Sequence, residues 1–183
     1  PEENSVSYIE NTCSYLQMRW DPNKSEPGTV VVPVMFHSIK PIGRELQDPS
    51  DVGEEDFKTF MDSAHAYDFE TITMDEMVDF VYNNAKIPPR SLLIIVDDRK
   101  FAEYYRVFFQ TYYEMFDWTL VNGFISHPNN DPELWEENVE LENEGWVDHQ
   151  AHGVIHNLPI EASIDFYNTT QYGGPGEMTA DEY

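Results

Sequence analysis

A chain of 183 residues with 40% hydrophobic content is long enough for one domain with a substantial core. Its 35 acidic against 10 basic side chains leave a formal charge of −25, which repels nucleic-acid phosphates and anionic membrane surfaces and argues against both as partners. The one cysteine, Cys13, excludes an intrachain disulfide, and no apolar run approaches the roughly 18 to 20 residues of a membrane span.

Residues 1–28 read as a polar N-terminal extension. It carries Tyr8, Tyr15, Leu16, Met18 and Trp20, whose apolar groups are open to packing on the domain or on a protein partner, the former being the commoner fate. The chain begins at Pro1 with neither a basic n-region nor an apolar h-region, as expected of a mature or trimmed form. Asn23-Lys24-Ser25 and Asn168-Thr169-Thr170 match the glycosylation acceptor pattern, which often arises by chance.

From Thr29 to Phe36 the chain is β-branched and apolar, which predicts a buried strand with Pro33 marking an edge or a bulge. Phe57, Phe60, Met61 and Ala64 recur at helical spacing within a helix predicted over 51–67, and 69–73 follows as a short strand. Thr73-Met74-Asp75-Glu76 is a capping box opening a helix that turns Met77, Phe80 and Val81 inward. Ile94-Ile95-Val96 is an apolar strand ending in Asp97 and Asp98. Phe101, Tyr104, Tyr105, Phe108, Tyr112 and Phe116 then recur every three or four positions, as core packing of a helix requires; a sugar-stacking platform is the other reading. Residues 118–125 return as a strand. Asp131 is an N-cap with Pro132 at the first helical position, Gly145 is the stop, and strand 146–151 delivers His152. Alternating helices and strands predict an α/β fold with a parallel sheet, whose strand ends bring both polar stretches to one face.

Those stretches are Asp97-Asp98 and His152-Gly153-Val154-Ile155-His156. One carboxylate with two imidazoles is a ligand set for a divalent metal with positions open for water, and the other carboxylate is then available as a base. His149 is a rival ligand, but its odd offset from His152 puts the two on opposite faces of a strand.

Three segments resemble the polysaccharide deacetylases with the NodB homology domain. Val34 to Ile39 is similar to the opening strand and its "YHS" signature, Pro88 to Asp98 to a Pro-led strand ending in T-F-D-D-G, and Gly145 to His156 to the H-[S/T]-x-x-H motif. The resemblance implies an α/β fold, a deformed or incomplete (β/α) barrel spanning 29–183, with Asp97 as catalytic base and Asp98, His152 and His156 as metal ligands. Arg99 and Asn157 are candidates to line the site; His37, at the end of the first strand, reads first as a packed or hydrogen-bonded histidine near the rim and otherwise as a third lining residue that binds no metal. The implied cofactor is a divalent metal, with zinc the best match by ligand type. The implied substrate is an acetylated polysaccharide, N- or O-linked, hydrolysed with a metal-bound water as nucleophile, outside the cell or at its surface.

The chain departs from the family pattern at Arg99, where a glycine is expected, and at Gly153, where a serine or threonine is expected. A positive φ at position 99 would strain an arginine. The family's later motifs, an arginine that holds the base and a late histidine among them, do not occur before Tyr183, and no arginine follows Arg106. The alternative function is therefore an inactive deacetylase-like domain serving as a structural or glycan-binding module. The Gly- and Pro-rich Tyr172 to Gly176 reads as a turn, and Thr179 to Tyr183 as the start of a helix.

Overall fold

The computed structural model describes residues 12–13, 21–125 and 132–153. Strand β1 (Val30–Phe36) is followed by two three-residue strands, β2 (Ser38–Lys40) and β3 (Asp51–Gly53), then α1 (Glu54–Ala66), β4 (Glu70–Thr71) and α2 (Met74–Asn83). The central strand β5 (Arg90–Asp97) leads into α3 (Ala102–Phe108), α4 (Gln110–Phe116), β6 (Leu120–Phe124), α5 (Pro132–Asn143) and β7 (Val147–Ala151).

The main sheet is wholly parallel, with β1 beside β5, β5 beside β6 and β6 beside β7. β5 meets β1 along its length, Val30 opposite Arg90 through Phe36 opposite Val96. It also pairs with β4 at Ser91 and Leu92 and with β6 from Ile95 to Asp97. β2 and β3 form a separate two-stranded parallel sheet. The architecture is thus an α/β fold of parallel strands with flanking helices and, among the described residues, no closed barrel. Among those residues no helix is long and apolar enough to cross a membrane.

Alternation along β5 divides the core. Leu92, Ile94 and Val96 join a large cluster with Phe57, Met61, Tyr105 and Trp146, while Leu93 and Ile95 join a smaller one with Ile72, Ile87 and Val121. The aromatic stripe lies in the larger cluster, where Phe57 packs edge-on against Phe36 at 5.3 Å and Phe109 at 5.1 Å. It is not one helix. The chain breaks at Phe109 into α3 and α4, which lets that ring turn into the core at 3% exposure and leaves Phe101 outside at 60%.

Other local expectations shift in instructive ways. The helix expected from Asp51 begins at Glu54, because Asp51 to Gly53 is taken up pairing with β2. The strand expected over 69–73 shortens to Glu70–Thr71, because Thr73 becomes the N-cap of α2 with the complete capping box. Met77 and Phe80 pack against the smaller cluster, but Val81, a further 100° round the helix, is 59% exposed. Pro33 sits in β1, which pairs only with β5 and so forms an edge among the described residues.

Residues 21–28 dock on the connection between α2 and β5. Ser25 is buried, its hydroxyl donating to the Ala85 carbonyl at 2.7 Å and accepting from the Ile87 amide at 3.1 Å. That fold role explains the serine without a glycan on Asn23. Tyr8, Tyr15, Leu16, Met18 and Trp20 lie outside the described residues, as do Asp131, Asn168 and 172–183.

Candidate active site

The site is built at the C-terminal ends of β5, β6 and β7, where Asp97 stands opposite Gly123 and Gly123 opposite Gln150. The β6–β7 pairing runs one step past the last strand residue, the His152 amide donating to the Phe124 carbonyl at 3.0 Å. This carries His152 over the sheet end beside the two carboxylates. Its Nε2 lies 3.3 Å from Asp98 Oδ1 and 3.9 Å from Asp97 Oδ2. The Asp97 side chain is 8% exposed, that of Asp98 16% and that of His152 38%, so the cluster grades from interior to solvent.

Consecutive residues of a strand point to opposite faces, yet Asp97 and Asp98 approach the same imidazole. The backbone supplies the reason. Asp98 has φ of 65°, a left-handed conformation that turns the chain at the end of β5 and brings the second carboxylate round. The positive φ falls on Asp98 and not on Arg99, so the strain expected from an arginine at position 99 does not arise. At the second departure, Gly153 has φ of 80°, and a glycine there meets a conformational demand that serine or threonine would meet at a cost.

Gly123 is the residue that sequence reasoning passed over. A Cβ on it would lie 2.2 Å from Asp97 Oδ1 and 3.3 Å from His152 Cγ. Its hydrogen is therefore what makes room for the Asp97 carboxylate and the imidazole above β6. The available signal was a glycine inside a strand pattern, which marks close approach of another group.

Three residues away, His149 has another environment. Its Nδ1 is 2.8 Å from Asn122 Nδ2 and its Nε2 3.0 Å from the Asn138 carbonyl, so it is the Nε2–H tautomer, accepting from Asn122 and donating to Asn138. Burial lowers its pKa from the ordinary value, which keeps it neutral. It registers with Asn122 and Val96, on the sheet face opposite Asp97.

Beside Asp98 opens a groove of about 630 Å³, lined by His37, Ser38, Lys40, Asp51 and Arg99 among others. The Arg99 Nε donates to the His37 backbone carbonyl, and its guanidinium lies 5.6 Å from the centre of the Tyr104 ring. Arg106, the last arginine of the chain, forms a two-pronged pair with Glu144 at 2.6 and 3.0 Å. It is consumed in holding α3 to the turn before β7. The expected third ligand, His156, and Asn157 lie outside the described residues; among the described residues no three His, Cys, Asp or Glu side chains form a metal-holding group. The donors that are described, carboxylate oxygens and an imidazole nitrogen around the space above Gly123, are of the types that zinc accepts.

No protein-family model and no curated protein matches the sequence. Solved structures do match. A de-N-acetylase from Aggregatibacter actinomycetemcomitans superposes with a TM-score of 0.55 at 13% identity, over 66% of this chain and 53% of that one. A deacetylase from Streptococcus pyogenes, solved in complex with acetate, gives 0.54 at 14% identity over 79% and 70%. A polysaccharide deacetylase from Bacillus cereus gives 0.54 at 18% identity over 74% and 44%. This chain shares their fold. It spans about half the length of the Aggregatibacter enzyme, and at such identities the likeness extends to the fold alone.

Proposed function

We propose that the chain is part of a metal-dependent hydrolase that removes acetyl groups from a polysaccharide. The observation that carries this reading is the convergence of Asp97, Asp98 and His152 over Gly123 at the C-terminal ends of adjacent parallel strands, where α/β folds place their chemistry. The fold shared with deacetylases supports the choice of reaction.

Asp98 and His152, with His156, would hold the divalent ion, zinc being the best match. When bound, such an ion supplies Lewis-acid polarisation of the acetyl carbonyl and a lowered pKa for water. Asp97 is held in place by its burial against Gly123 and accepts the proton of the attacking water. Both carboxylates lie against His152 Nε2, and the left-handed turn at Asp98 is what brings the second one round to that side. Hydrolysis then yields acetate and a free amine or hydroxyl on the glycan. A substrate of this kind suits an enzyme acting at or beyond the cell surface.

The test is zinc affinity measured on the purified protein together with acetate release from an acetylated glucosamine oligomer. Stoichiometric binding lost in Asp98→Ala and His152→Ala, and kept in Asp97→Asn while acetate release disappears, is the expected pattern. Absence of any metal uptake by the parent would overturn the reading. Metal binding without release would instead favour a glycan-binding module.

A further inference from the structure

We propose that the groove beside Asp98 is a subsite for a sugar bearing a carboxylate, with Arg99 as the residue that recognises it; this rests on the deacetylase reading above. The volume, about 630 Å³, is within the range of sites for ligands larger than one sugar ring. The charge available in it follows from which groups are already used. Asp51 accepts the Gln47 amide at 2.7 Å and the Asp48 amide at 3.0 Å and pairs with Lys40 at 3.3 Å. Asp48 accepts both the amide and the hydroxyl of Ser50, at 2.9 and 2.7 Å. Asp51 is thus offset by Lys40, the third lining carboxylate, Asp98, is turned to His152 Nε2 at 3.3 Å, and Asp48 keeps its charge within the β2–β3 connection, which leaves Arg99 as the lining cation not paired with a carboxylate among the described residues.

Arg99 is held differently. Its Nε is bound to the His37 carbonyl and one face of the guanidinium is set by the Tyr104 ring, whose own hydroxyl accepts the Ile39 amide at 2.8 Å. The Arg99 carbonyl accepts from Tyr105 at 2.8 Å, so backbone and side chain are both anchored. The two terminal nitrogens have no hydrogen-bond acceptor among the described residues, and Arg99 and His37 both line the groove. A planar fork fixed at its base and open at its tip matches the two oxygens of a carboxylate and has lost its rotamer freedom before the ligand arrives. In a chain of charge −25 this cation serves no long-range attraction of anions. Its use is at contact distance.

The test is calorimetric titration of the protein with two oligomers of equal length, one of acetylated glucosamine alone and one alternating it with glucuronate. The parent should bind the glucuronate oligomer about tenfold more tightly, as expected for one charge-assisted pair. In Arg99→Gln that preference should vanish, while Arg90→Gln should retain it. Arg90→Gln makes the same charge change at the far end of β5, where the arginine bonds the Tyr67 carbonyl at 2.6 Å. Should Arg99→Gln not fold, Arg99→Lys, which keeps the charge but not the fork, should reduce the preference severalfold. Equal affinity of the parent for both oligomers, or an unchanged preference in the Arg99 variant, would overturn the subsite. Because binding is the readout, the two readings separate. A preference dependent on Arg99 without acetate release from either oligomer leaves the subsite and removes the hydrolase, and acetate release without any preference does the reverse.

Discussion

Two histidines three residues apart, one on β7 and one just past its end, have opposite lives in this molecule. His149 is pinned between Asn122 and the Asn138 carbonyl with the Phe124 ring edge-on at 5.7 Å, neutral and bonded at both ring nitrogens. His152 faces two carboxylates and is partly open to solvent. Strand parity separates them, since an odd offset crosses the sheet. What each can do is then set by partners. Amide and carbonyl groups use up an imidazole, whereas carboxylates on a shared rim leave it able to serve a cation or a substrate.

If the division is right, variants on the two faces should damage different properties. The largest effect is expected from Asp97→Asn, which keeps the shape of the buried side chain and should lower kcat for acetate release by about 10² to 10⁴, with the melting temperature little changed. On the other face, His149→Ala should cost about 2 to 3 kcal/mol in urea unfolding, by stripping partners from Asn122 and Asn138, and should leave zinc affinity unchanged.

Gly123→Ala should affect both properties. The new methyl collides with Asp97, and overpacking of this kind costs about 1 to 3 kcal/mol, alongside reduced acetate release from a displaced base. His152→Ala sharpens the contrast with His149. At 38% side-chain exposure it should change unfolding free energy by less than about 1 kcal/mol while abolishing metal binding.

The smallest effect concerns pH. The folded-state pKa of His149 lies below the ordinary 6.5, so the unfolded chain takes up the proton first. The stability it contributes is complete above pH 6.5 and is lost as pH falls from there through the lowered folded value. The slope of melting temperature against pH in that window should flatten in His149→Gln. Asp51, whose pKa is lowered from 3.8 to about 2 chiefly by the Gln47 amide, acts in the same direction in a more acidic window, between those two values.

The legible features were those written in neighbouring residues. The apolar run ending at Asp97 and Asp98 reads as a strand because hydrophobic burial and β-branching act locally, and the Thr73–Glu76 capping box closes within one helical turn. The Gly145 stop is likewise local, with φ of 85° at the end of α5. The break at Phe109 was not legible, because the aromatic periodicity continues across it while the ring turns inward to meet Phe36 and Phe57. Nor was the pairing of β2 with β3. Three-residue strands carry too little pattern to be recognised, and their existence depends on a partner thirteen residues away.

By itself, then, the sequence determined the α/β alternation, the strand that presents two carboxylates and the parity that parts His149 from His152. Tertiary structure alone decided that Gly123 is the space under Asp97, that the left-handed turn falls on Asp98, and that Arg99 is anchored to His37 and Tyr104. The reason is physical. Propensity and periodicity act along the chain, whereas cross-strand register and side-chain clearance exist only once β5, β6 and β7 lie side by side.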